Sequence, residues 1–245
     1  MENNKDNLAL VKDEFKDFAS NTLENDERRK ALKQITNDFY KMFTYYECAI
    51  DEVETKLNIL NKEYSIEGNL NPIDSIKSRV KSLESIIEKL NRKNLPFTMD
   101  AIEANIHDIA GLRVIVNFPE DVYKIRDGLL KQDDVILLKE KDYIKNPKKN
   151  GYRSLHLIIQ TPIFLSTGKK MMEVEVQIRT IAQNFWASLE HQVYYKNDIE
   201  GKEIIRKELK DLAEESARLD NKMEELKRKL NEKRWSFIAS PFHHH

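Results

Sequence analysis

Apolar residues recur at Leu32, Ile35, Phe39, Met42, Tyr46, Ala49, Val53, Leu57 and Leu60. Steps of three and four put them on one face of a helix, so the spacing predicts a long amphipathic helix ending near Gly68. Asn25, Asp26 and Glu27 suit its start, and Gly68, Asn69, Asn71 and Pro72 break it. A shorter helix is expected over 7–19. Toward the other end, Ile205, Leu209, Leu212, Ser216, Leu219, Met223, Leu226 and Leu230 step by alternating fours and threes, an a/d heptad pattern within 202–234. Such a stripe must be covered, by the N-terminal helix or by another subunit.

Between these helices the period changes. Residues 74–80 read as a strand, and 82–93 as a helix with Ser82 as N-cap. LRVIVNF (112–118) is an apolar strand, and Pro119 opens a helix through Leu130. VILLKEKDY (135–143) and SLHLIIQT (154–161) follow as strands, the second expected to end at Pro162. MMEVEVQIRT (171–180) alternates strictly, and a helix is expected from Ile181 to Tyr195. The last two strands are close enough for a hairpin, which favours a mixed sheet over a doubly wound one. The chain thus divides into a helical segment (1–68), a mixed core (69–200), a heptad helix (201–236) and a tail (237–245). The closing HHH reads as the remnant of a purification tag.

The chain has 245 residues, 41 Lys+Arg and 42 Asp+Glu, for a formal net charge of −1. That excludes a bulk polycation, so binding of nucleic acid or acidic substrate must come from local basic clusters. With 40% hydrophobic residues the chain is too apolar to be disordered. A single cysteine, Cys48, excludes a disulfide scaffold and suits a reducing compartment. No apolar run reaches membrane-spanning length, and MENNKDNLAL has no signal-peptide pattern. The expected location is cytoplasmic.

Candidate chemistry concentrates in the core. In Glu173–Ile178, period two puts Val174, Val176 and Ile178 on one sheet face and Glu173, Glu175 and Gln177 on the other. The polar face is either a solvated surface or a carboxylate wall. Asp108 stands at the mouth of the apolar strand, as a turn residue or as a second carboxylate. Mg²⁺ takes one or two carboxylates and completes its shell with phosphate oxygens and water. His107-Asp108 is similar to the metal-binding pair of phosphohydrolases, but only His156 and His191 remain to support it. Arg79, Lys81, Lys89, Arg92, Lys93 and a lysine-rich stretch at 139–153 bracket the acidic positions, as a solvated charge run or as a polyphosphate-binding surface. Gly151 permits a close backbone approach, and Tyr152 shares a face with Ser154 and His156, as a surface tyrosine or as a platform for a base. Tyrosines among lysines also suit stacking on single-stranded RNA.

Four stretches carry a family resemblance: 78–93 (SRVKSLESIIEKLNRK), 107–118 (HDIAGLRVIVNF), 141–158 (KDYIKNPKKNGYRSLHLI) and 174–196 (VEVQIRTIAQNFWASLEHQVYYK). In this order they resemble the synthetase module of a small alarmone synthetase, a stand-alone member of the RelA/SpoT nucleotidyltransferase family. The resemblance covers nearly all of the core and includes neither the hydrolase domain nor the regulatory region of the long members. It implies an α+β fold with a mixed, mostly antiparallel, nucleotidyltransferase-like sheet of five strands flanked by helices. It implies transfer of the β,γ-pyrophosphate of ATP to the ribose 3′-OH of GDP or GTP, with GMP as a further candidate acceptor, releasing AMP. Asp108 and Glu175 would bind Mg²⁺, and Glu175 would help deprotonate the 3′-OH. Tyr152 would stack on guanine, with Asn150 and Gln177 nearby and His156 and Lys145 toward the acceptor phosphates. Arg79 and Arg113 would sandwich adenine, and Lys81, Lys89 and Arg92 would hold the ATP phosphates. Small members are commonly homotetramers, which the terminal stripes would suit. An alarmone effector and single-stranded RNA stay open as partners. The competing readings are a catalytically inactive nucleotide- or RNA-binding module and a coiled-coil scaffold.

Overall fold

The computed structural model describes residues 26–68, 71–195 and 202–238. The expected helix over 7–19 and the tail lie outside them. Helix α1 (Asp26–Gly68) leads into strand β1 (Ile73–Val80), then helices α2 (Leu83–Arg92) and α3 (Met99–Asn105). Strand β2 (Ala110–Val116), helix α4 (Pro119–Leu130), strands β3 (Ile136–Asp142), β4 (Leu155–Leu165) and β5 (Gly168–Thr180), and helices α5 (Ile181–Tyr195) and α6 (Lys202–Ile238) complete the order. The strands form one sheet in the order β1-β2-β5-β4-β3. Only β2 and β5 run parallel; the other three pairs are antiparallel. The fold is therefore α+β with the expected mixed, mostly antiparallel sheet.

Alternation decides which sheet face is core. Leu112, Val114 and Val116 of β2, Val174, Val176 and Ile178 of β5, and Leu155, Leu157 and Ile159 of β4 are all buried. They pack in one cluster against Phe39, Met42, Tyr46, Ala49, Val53, Leu57 and Leu60 of α1 and Val122, Ile125 and Leu129 of α4. Burying that much apolar surface is the main stabilising term. The helical stripe is borne out from Phe39 onward; Ile35, one turn earlier, is exposed. Ser82 caps α2, accepting from the Ser85 amide at 3.4 Å.

One expectation is corrected, one helix is added and one alternative is removed. Pro162 does not end β4, which continues to Leu165. Strand β3 pairs with β4 only up to Gln160, so Pro162 lies where that side of β4 is an open edge and no partner asks for its missing N–H. Helix α3 had no periodic signal because it has seven residues; Thr98 caps it by accepting from the Ala101 amide at 3.2 Å. The heptad stripe of α6 is not covered by α1. Helix α6 docks against α5 through Leu209, Ala213 and Ser216, reaches the end of β5 with Asp220 and the start of α4 with Glu224, while Leu212, Leu219, Met223, Leu226 and Leu230 stay exposed. The Ser216 hydroxyl donates to the Ala182 carbonyl (3.0 Å), the Trp186 indole to the Leu209 carbonyl (2.7 Å), and Thr180 Oγ1 to Asp220 (2.5 Å).

Candidate active site

The face of the sheet turned away from the core carries the chemistry, and the register sets it out in rows. Lys77, Arg113, Gln177, His156 and Lys141 stand opposite one another across β1, β2, β5, β4 and β3. One step along lie Arg79, Gly111, Glu175, Ile158 and Lys139. Directly paired residues share a face, so one alternation that buries valines and leucines below gathers these polar groups above. Gly111 has no side chain between Arg79 and Glu175; a Cβ built there would touch Arg79 Cγ at 3.8 Å.

Asp108 ends the turn into β2, and its two oxygens are held by lysines: Lys89 Nζ at 2.8 Å and Lys81 Nζ at 3.1 Å. Burial pushes the carboxyl up, but the two ammonium groups outweigh it and the pKa is lowered. Glu175 faces His156 Nδ1 at 3.3 Å and accepts from Gln177 Nε2 at 2.9 Å. Burial raises its pKa, as does the nearby charge of Asp108; the contacts from His156 and Gln177 prevail and lower it. Two ionised carboxylates, 67 positions apart in sequence, thus lie within electrostatic reach of each other.

Beside them is an aromatic pocket. The Tyr152 hydroxyl lies 2.9 Å from His156 Nε2 and accepts from Arg179 Nη2 at 2.7 Å. The Tyr143 ring meets those of Tyr152 and His156 edge-on, with centroids 6.1 and 5.3 Å away. Lys148 Nζ sits astride the two tyrosines, 4.8 Å from each ring centre. Gly151 (φ +90°) turns the preceding loop, and a Cβ there would stand 2.6 Å from the Ala213 methyl on α6. Arg153 donates to the Ala213 carbonyl at 3.2 Å. The C-terminal helix therefore braces the loop that presents Tyr152.

The structure gathers Arg79, Lys81, Lys89, Asp108, Arg113, His156, Glu175, Gln177 and Tyr152 on one side of the sheet. Arg113 Nε is buried without a hydrogen-bond partner among the described residues, a donor aimed at something other than the protein. Arg92 is exposed in the last turn of α2, one turn beyond Lys89. Two expected positions differ. Lys145 points toward Asp142 (3.7 Å) and the Tyr123 ring (4.7 Å), away from the pocket, and Lys148 takes the position beside the tyrosines. Asn150 spends its side chain on the loop: Oδ1 accepts from the Tyr152 amide (3.2 Å) and Nδ2 donates to Glu190 (3.2 Å). Tyr143 and Lys148 were visible in sequence only as members of a lysine-rich run; contact through the folded loop singles them out. His107 bonds Glu173 at 2.7 Å, outside the carboxylate pair. Among the described residues no helix is long and apolar enough to cross a membrane.

This geometry has relatives. Residues 78–200 match the family described as a region found in RelA / SpoT proteins. The chain is 44% identical over 200 residues to the GTP pyrophosphokinase YwaC of Bacillus subtilis, covering 82% of this chain and 95% of that protein. It is 36% identical over 192 residues to the GTP pyrophosphokinase YjbM of the same organism, covering 78% and 90%. Its fold is similar to the crystal structure of small alarmone synthetase 2 from Bacillus subtilis (TM-score 0.70, 45% identity, 78% of this chain and 99% of that one). It is also similar to small alarmone synthetase 1 of that organism bound to its product pppGpp (TM-score 0.71, 34% identity, 80% and 99%). The family match, the sequence likeness along most of the chain and the shared fold agree: the protein belongs to the RelA/SpoT family.

Proposed function

We propose that this chain is a (p)ppGpp synthetase, which transfers the β,γ-pyrophosphate of ATP to the ribose 3′-hydroxyl of GDP or GTP and releases AMP. One observation carries the reading: two interacting, ionised carboxylates stand between a lysine pair on one side and a tyrosine-lined pocket on the other. In this reading ATP lies over β1 and β2. Lys81, Lys89 and Arg92 neutralise its phosphates, and the guanidinium planes of Arg79 and Arg113 take the two faces of adenine, a stacking habit suited to arginine. The guanine base rests on Tyr152, with Lys148 moving aside; Gln177 lies nearby, Asn150 holds the loop that carries Tyr152, and His156, joined by Lys145 once it swings from Asp142, serves the acceptor's phosphates.

The reaction forms a bond from the ribose 3′-oxygen to the β-phosphorus of ATP and breaks the bond from that phosphorus to the α–β bridging oxygen. The leaving group is AMP. The proton of the 3′-hydroxyl passes to Glu175, whose lowered pKa marks it as ionised at neutral pH. Because little covalent chemistry falls to the protein in such transfers, positioning and charge neutralisation supply most of the acceleration. Asp108 and Glu175 fit Mg²⁺ by donor chemistry: both are ionised hard-oxygen ligands, and this ion characteristically takes one or two carboxylates and fills its shell with phosphate oxygens and water. Bound there, it would supply charge neutralisation and acidify the attacking hydroxyl. A cytoplasmic location goes with this reading, since the substrates and a reduced Cys48 belong there. Assembly into a homotetramer through the exposed faces of α5 and α6 belongs to the same proposal.

The test is incubation with ATP, GDP and Mg²⁺, followed by ion-exchange chromatography. Equal amounts of AMP and a 3′-pyrophosphorylated guanosine nucleotide are expected. Nucleotide binding without AMP release would replace the synthetase reading with that of a binding module.

A further inference from the structure

The polar groups around Glu175 close into a ring. Arg179 Nη2 donates to the Tyr152 hydroxyl and to Gln177 Oε1, both at 2.7 Å. Gln177 Nε2 donates to Glu175 Oε2 at 2.9 Å. Glu175 Oε1 faces His156 Nδ1 at 3.3 Å, and His156 Nε2 faces the Tyr152 hydroxyl at 2.9 Å. One proton arrangement satisfies every link: the tyrosine hydroxyl accepts from Arg179 and donates to Nε2, and Nδ1–H donates to the carboxylate. Arg179 is 5% exposed, its Nε lies 3.3 Å from Ser154 Oγ, and its guanidinium carbon sits 5.2 Å from the Tyr152 ring centre. It bridges the part-buried Tyr152 and Gln177 from beneath the aromatic pocket.

We infer that Arg179 is a positioning residue for the guanosine acceptor: one buried guanidinium fixes the tilt of the Tyr152 ring and, through Gln177, the plane of the Glu175 carboxylate. The inference rests on the synthetase reading, in which Tyr152 carries the base and Glu175 meets the ribose hydroxyl of the same nucleotide. A base platform and a carboxylate tied to one planar group keep a fixed separation. That separation must match the span from guanine to the 3′-oxygen, and a near-attack arrangement depends on it. Lysine is no substitute, because a point charge cannot hold the tyrosine and the glutamine in one plane. Among the described residues no hydrogen bond of the ring involves Arg79, Lys81, Lys89 or Arg113, the groups assigned to ATP, so loss of Arg179 bears on the acceptor more than on ATP.

The test is a double-mutant cycle of Arg179→Gln and Tyr152→Phe in the full chain, with Michaelis constants for GDP and ATP measured separately. Tyr152→Phe keeps the stacking ring and removes only the hydroxyl that Arg179 holds. Each single variant is expected to raise the GDP KM about ten- to a hundredfold, as expected for loss of a hydrogen bond to a charged group. The ATP KM should stay within about twofold. Both variants break the Arg179–Tyr152 link, so the double variant should be no worse than the more impaired of the two single variants. Additive effects, or equal effects on both substrates, would overturn the positioning role. If Arg179→Gln does not fold, Tyr152→Phe decides alone: an unchanged GDP KM overturns the inference. Absence of AMP release from the unaltered protein would instead strike the synthetase reading, so the two failures are distinguishable.

Discussion

Glu175 accepts from Gln177 through one oxygen and meets His156 with the other, so its carboxylate is oriented before any nucleotide arrives. Replacing it by glutamine keeps the size and the ability to accept from Gln177, but removes the charge and the base. Glu175→Gln should therefore reduce AMP release by about 10²–10⁴-fold, the usual contribution of general base catalysis, with an unaltered circular dichroism spectrum. Near-normal release would remove Glu175 from the reaction. This residue was legible in sequence because strand alternation assigns Glu175 and Gln177 to one face whatever the tertiary structure. Asn150 and Lys145 were harder. Both occupy a loop, where no period dictates direction, and their side chains serve Tyr152, Glu190 and Asp142 instead of the pocket.

At the scale of elements, α6 is both brace and clasp. Its Ala213 leaves no space for a Cβ on Gly151, whose φ of +90° also strains any other residue. Gly151→Ala should cost about 1–3 kcal/mol from backbone strain alone, seen as a thermal midpoint several degrees lower. It should raise the KM of the guanosine acceptor more than that of ATP. A variant as stable as the parent would show that the loop and α6 are not pressed together. The clasp is Asp220, which accepts from Thr180 and whose pKa is pushed up to about 6, first by burial and then by Glu224. Between the unfolded value near 3.8 and about 6, the folded protein holds more protons than the unfolded chain, so stability falls as pH rises through that window and stays lower above it. Asp220→Asn still accepts from Thr180 but does not ionise. It should flatten the dependence of the thermal midpoint on pH between 4 and 6 and raise that midpoint at pH 8 by about 2–4 °C. A midpoint at pH 8 that is unchanged or lower would contradict this.

Neither contact could be read from the heptad pattern. Periodicity announced α6 and its apolar stripe, yet the helix docks by a face that shares only Leu209 and Ser216 with that stripe and in which aspartate, glutamate and serine make specific hydrogen bonds. A pattern of hydrophobicity reports where apolar surface lies. It does not report which polar atoms will find partners across the chain.

For the whole molecule, the uncovered stripe is the conspicuous feature. Phe185, Leu189 and Val193 of α5 and Leu212, Leu219 and Met223 of α6 line a groove of about 960 Å³. Apolar patches of this extent on a folded chain mark contact surfaces. The proposed assembly through this groove predicts that Leu219→Asp elutes as a smaller species than the parent in size-exclusion chromatography with light scattering, while the far-ultraviolet spectrum stays the same. A parent protein that elutes as a monomer would contradict assembly. The mixed five-stranded sheet and the two terminal helices were foreseeable, because each depends on a period or a motif; the strand order β1-β2-β5-β4-β3 was not, because no period reports which strands become neighbours. Closure of the Arg179 ring was not, because it joins side chains of two strands through the register, which appears only when the sheet is formed.

Trp186 lines that groove and also belongs to the small cluster against which Tyr152 packs. One small apolar cluster thus forms the back of the groove on one side and the seat of the Tyr152 ring on the other, so a cavity opened at Trp186 is expected to disturb both.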